Sequence, residues 1–181
     1  MKILRQCDNF DRANLIIIAG IVILMAAMII NQKRVVNSAI VNPKSISPVQ
    51  NKTLKEADQK LYKMVFEQED KGDIKRALVE IDKIINSQPD HAQSWVYQAR
   101  LYKKQAILSK SSHSYRMALE ADSKFLHKQY YLFIADEVME LILSAIPKFK
   151  REKKLKPNDT DVKRTLRDLY YLRRKVAGGC E

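Results

Sequence analysis

Any chemistry in this 181-residue chain would have to come from three histidines, His91, His113 and His127, and two cysteines, Cys7 and Cys180. Imidazoles hold metal or move protons when a second ligand or an acid recurs about one helical turn away, as in HExxH. None of the three histidines has such a neighbour, and no P-loop, GxGxxG loop or nucleophile elbow occurs. Cys7 and Cys180 stand at opposite ends, which gives neither a disulfide framework nor a zinc spacing. The expectation is a protein without catalytic residues, metal ligands or cofactor.

What remains is charge and apolar surface. Hydrophobic residues make up 46% and charged ones 30%, so the bulk of the chain can form a folded, water-exposed domain. The net charge is +12, and its source is local. Between residues 148 and 175 there are twelve Lys/Arg and four Asp/Glu, a net +8. The run consists of Lys148, Lys150, Arg151, Lys153, Lys154 and Lys156, followed by Arg173 and Arg174. Such a run reads either as a solvated face or as a surface for an anionic bilayer, an acidic partner or nucleic acid. No aromatic interleaving or known binding motif favours nucleic acid.

The elements that would position these residues begin with an apolar one. Residues 13–32 carry no charge and are apolar on every face. Twenty residues at about 1.5 Å each span roughly 30 Å, the thickness of a bilayer core. Residues 1–12 form a flank and 13–32 a single transmembrane helix, with Arg12, Lys33 and Arg34 at its edges. A cleaved signal peptide is the rival reading, weakened by the length of the stretch and by the absence of an Ala-x-Ala site. The expected location is a cell inner membrane, crossed once. Lys/Arg counts on the two sides nearly tie, leaning to a cytoplasmic domain. Residues 33–52, with Pro43 and Pro48, read as a partly extended linker.

Beyond residue 53 the pattern is helical and repeats. After a Gly72-Asp73 turn, Ala77 and Ile81 find counterparts at steps of 34 in Ser111 and Ala145 and in Tyr115 and Phe149, and Pro89-Asp90 finds Pro157-Asn158 at two steps, with Ser123 between. Trp95, Tyr102 and Tyr170 fall on aromatic positions of the same register. This pattern resembles the tetratricopeptide repeat (TPR). The resemblance implies an all-α solenoid over residues 53–178: repeats at about 58–91, 92–125 and 126–159, then a capping helix at 160–175. Three helix pairs and a cap make seven helices. The middle repeat lacks the Gly-Asp turn and the proline.

The resemblance also implies a binding groove lined by the first helix of each repeat. Its positions here are Tyr62 and Phe66, then Val96, Arg100 and Lys103, then Tyr130 and Ile134. Tyr62 and Phe66 stand where carboxylate-clamp members carry Lys and Asn, so no clamp is implied. An aromatic groove with a basic middle suits a peptide or helix with acidic residues. The bland reading is that these aromatics pack between helices. The expected function is a membrane-anchored scaffold that recruits proteins to a membrane assembly of the secretion, envelope-biogenesis or pilus type. The alternative is a tether that binds anionic lipid or nucleic acid through the basic C-terminal third.

Overall fold

The computed structural model describes residues 47–178, and the expected transmembrane helix lies outside them. Within them all regular structure is helical: seven α-helices, one 3-10 turn and no strand. No helix among the described residues is long and apolar enough to cross a membrane. The helices are α1 (Pro48–Leu61), α2 (Lys63–Asp70), α3 (Ile74–Ser87), α4 (Ala92–Lys104), α5 (Leu108–Ala121), α6 (Ala135–Leu155) and α7 (Thr160–Val176).

Helix α1 begins inside the stretch expected to be linker. Ser47 caps it, its hydroxyl accepting from the Gln50 amide while the Gln50 side chain accepts from the Ser47 amide. Pro48 sits in the first turn, where its missing N–H costs nothing. Pro48 therefore starts a helix instead of forbidding one. A single residue, Tyr62, separates α1 from α2.

Two helix pairs follow, α2/α3 and α4/α5, and apart from the starts of α2 and α4 their boundaries are offset by 34 residues. Ile74–Ser87 maps onto Leu108–Ala121, and Asp70 and Lys104 close the first helix of each pair. The turns match as well. Gly72 has φ 77°, and Ala106, 34 residues later, has φ 58°. The second turn thus forces an alanine into the left-handed region, at a cost of about 1–2 kcal/mol.

The third unit departs from the expected pair plus cap. Position 140, where a third turn would fall, is Glu140, a good helix former followed by Leu141, which cannot cap. The chain makes no turn there, and α6 runs unbroken from Ala135 to Leu155. The expected first helix is absent: Ser123–Leu126 is a 3-10 turn and residues 127–134 are irregular. In this irregular segment Tyr130, Leu132 and Ile134 are buried while the residues between them are half-buried, an alternation that suits extended chain. Helix α7 spans nearly the range expected of the cap. It is not a terminal lid, because it packs along both α5 and α6 and buries Val162, Leu166, Leu169 and Leu172.

The core forms two clusters. One joins Tyr62, Val65, Ala77, Ile81, Ile85 and Leu101, and the larger joins α4, α5, the irregular segment, α6 and α7. Trp95 and Tyr97 pack against both clusters and tie them together. The residues at the repeat's small and large positions, Ala77, Ser111 and Ala145 with Ile81, Tyr115 and Phe149, are all buried.

Candidate functional site

The side chains expected at the centre of a groove are core. Tyr62, Val96 and Ile134 have 0% exposure and Tyr130 has 3%. The Tyr62 hydroxyl sits 2.7 Å from His91 Nδ1 and 2.8 Å from Ser94 Oγ, and its ring packs 4.5 Å from that of Tyr97. Phe66 is half-buried, edge-on to Tyr97 at 5.2 Å. The cause is the irregular segment. Instead of extending the groove by a third helix, residues 127–134 lie over the start of α4, where the Gln93 amide donates to the Tyr130 hydroxyl at 3.4 Å. These residues bury the positions expected to line a groove.

The basic middle of that face is likewise answered from within. Arg100 donates from Nε and Nη2 to Glu137 at 2.9 and 2.5 Å, and the Tyr115 hydroxyl donates to the same carboxylate at 2.9 Å. Lys103 reaches Glu140 at 2.6 Å, and Lys104 pairs with Glu69. Burial pushes the Glu137 carboxyl up, but the Arg100 bonds and charge, with the Tyr115 bond, outweigh it and hold the group below its ordinary value. An acidic ligand would find Arg100, Lys103 and Lys104 already paired. An acidic segment at this face would have to compete with Glu137, Glu140 and Glu69 for those cations.

Beside it lies a buried carboxylate that the sequence does not flag. Asp58 of α1, 4% exposed, accepts from the Tyr97 hydroxyl at 3.2 Å and from the Tyr131 hydroxyl. Burial raises its pKa, and the Tyr131 bond, His91 and Tyr97 only partly offset this. The Asn51 amide donates to the Gln129 carbonyl at 2.5 Å and its oxygen accepts from the Tyr131 amide at 3.4 Å. Helix α1 is thereby stitched to the irregular segment.

A second polar cluster joins α5 to α7. Asp168, 1% exposed, accepts from Arg116 Nη1 at 2.9 Å and lies 3.3 Å from His113 Nδ1. Asp168 and His113 edge a cleft of about 420 Å³ that Trp95, Tyr102 and Arg164 also line. Arg116 balances the buried charge, so the arrangement anchors α7 to α5. His91 and His113 each have a structural partner, and no three His, Cys, Asp or Glu side chains gather as metal ligands among the described residues.

The basic run has the opposite character. Lys148, Lys150, Arg151, Lys153, Lys154, Lys156, Arg173 and Arg174 are all exposed. Of the twelve Lys/Arg between 148 and 175, only Arg164 forms an ion pair among the described residues, with Asp161 at 3.9 Å. Lys153, Lys163 and Arg167 line one open cleft of about 500 Å³ between the end of α6 and the start of α7, together with Thr160, Leu166 and Tyr170.

No family model matches the chain, and no curated protein or solved structure is significantly similar to it.

Proposed function

We propose that this protein is a membrane-anchored adaptor that holds a partner protein through a small stack of TPR-like helix pairs. The repeat reading is supported by the 34-residue offset of α3 and α5 and by the matching left-handed turns at Gly72 and Ala106. The anchor reading rests on the uncharged stretch 13–32.

The observation that carries the adaptor reading is where apolar side chains are left uncovered. Of six large exposed apolar residues among the described residues, four lie on the first pair and its extension: Val49 at 75%, Leu54 at 38%, Met64 at 52% and Val79 at 54%. The groove centre is filled, so the partner's landing site moves to α1–α3, the N-terminal end of the helical domain. Apolar surface held open at one end suits a protein partner that continues the helix packing.

The test is site-specific photocrosslinking from positions 64 and 79 in membranes, with the buried position 65 as the control, followed by mass spectrometry. One recurrent protein crosslinked from 64 and 79, and lost in Met64→Glu with Val79→Glu while circular dichroism is unchanged, is the expected result. Capture that survives this variant but disappears in Lys153→Glu with Lys154→Glu would move the partner site to the basic face.

A further inference from the structure

We propose that the cleft between the end of α6 and the start of α7 is a headgroup site for anionic phospholipid, seated with Leu155 in the membrane interface. The proposal rests on the reading of residues 13–32 as a membrane anchor. The cleft has a chemically simple lining. Lys153, Lys163 and Arg167 supply three cations, Thr160 a hydroxyl, Leu166 and Tyr170 an apolar floor, and no carboxylate lines it. The amides of Asp161 and Val162 at the start of α7 are already bonded to Asp159 Oδ1. A bound anion would therefore be held by the side-chain charges and not by the helix end. A phosphodiester fits that demand: compact, singly charged, and with an apolar continuation for the cleft floor.

A second observation points to a bilayer instead of a soluble polyanion. Leu155 is 81% exposed at the end of α6, among Lys153, Lys154 and Lys156. An apolar tip ringed by lysines is the pattern of interfacial insertion, with the aliphatic group below the headgroups and the ammoniums among them. A nucleic acid's phosphate backbone would have no use for the leucine. The tether adds a geometric reason. Fifteen residues, 33–47, separate the uncharged stretch from α1. Fifteen residues reach at most about 50 Å. A cationic surface so tethered meets an anionic leaflet at high effective concentration.

The experiment places the full chain in nanodiscs of phosphatidylcholine alone or with about 30 mol% phosphatidylglycerol and follows amide hydrogen exchange. Phosphatidylglycerol should slow exchange over residues 150–170, and high salt should reverse it. Each cation near such a surface is worth about fivefold. Lys163→Gln should weaken the lipid-dependent protection roughly fivefold, and Lys153→Glu with Lys163→Glu and Arg167→Glu should erase it. Leu155→Ser should weaken it by about tenfold. Equal protection in both discs, or protection unchanged in the triple variant, overturns the proposal. So does protection by millimolar inorganic phosphate or a single-stranded oligonucleotide in neutral discs that phosphatidylglycerol does not produce. Failure to enter neutral discs would refute the anchor alone. Flotation with phosphatidylglycerol vesicles would then decide the cleft: capture lost in the triple variant supports it, and no capture overturns it.

Discussion

The two halves of the helical domain treat the same residue types differently. Between residues 63 and 124, eight of eleven lysines and arginines form ion pairs, three of them across the α2–α4–α6 face. Between 148 and 175 one of twelve does. The first half also keeps its backbone in step with the 34-residue period, whereas the second abandons it at Glu140. Cations are thus mostly paired with carboxylates in the first half and mostly without an acid partner in the second. Charge spent on packing cannot also recruit a ligand, so a count of basic residues along the chain overstates the groove and understates the C-terminal face.

The sharpest way to break this contrast is to remove one acid. Glu137→Ala leaves Arg100 without its partner and the buried Tyr115 hydroxyl without an acceptor, and should cost about 2–3 kcal/mol in denaturant unfolding. A loss no larger than that of a surface substitution would collapse the comparison. Next come the turns. Gly72→Ala should cost about 1–2 kcal/mol from its positive φ alone, since a Cβ there meets no neighbour within 4 Å. Ala106→Gly should stabilise by about 1 kcal/mol, a reversal of sign at equivalent positions readable by thermal unfolding.

The pH response should divide between two carboxylates. Glu137 titrates below its ordinary value of 4.5, so its stabilisation is present above that pH and is lost as pH falls through the folded-state value. Asp58 titrates above its ordinary 3.8, so its contribution is full below 3.8 and is lost as pH rises through the folded-state value. Relative to the parent, Asp58→Asn should look better at pH 7 than at pH 3, and Glu137→Gln the reverse, in unfolding curves at the two pH values. The smallest effect belongs to the basic face. Lys150→Ala or Arg151→Ala should change stability by no more than about 0.5 kcal/mol, because neither has an ion-pair partner to lose.

What sequence can convey about this domain follows from how local each signal is. The helices α3 and α5 were readable from spacing because small and large positions, Ala77 and Ile81 then Ser111 and Tyr115, recur within one helix length. The unpaired cations were readable as a run. Their counterparts were not: Arg100 finds its acid 37 residues away and Asp58 its tyrosine 73 residues away. Pairing of that kind depends on which faces meet. Two local signals were present but overridden by the repeat register. Ser47-Pro48 with Gln50 spells a helix start. The run from Tyr130 to Ile134, three aromatics and a β-branched residue in five, has weak helix propensity and disfavours the helix placed there.

Helix α1 meets the irregular segment through Asn51 and Asp58, over separations of 73 to 80 residues, while most helix packing joins near neighbours in the chain. Closing so long a loop comes late in folding and opens early. This helix is also the one into which residues 33–47 lead. A mechanical load passed along those residues would peel α1 away first, exposing the Asp58 carboxylate and the Tyr97 and Tyr131 hydroxyls while α3 to α7 stay folded. The filled face would then become an open one under tension, a latch whose release threshold is set by a few hydrogen bonds.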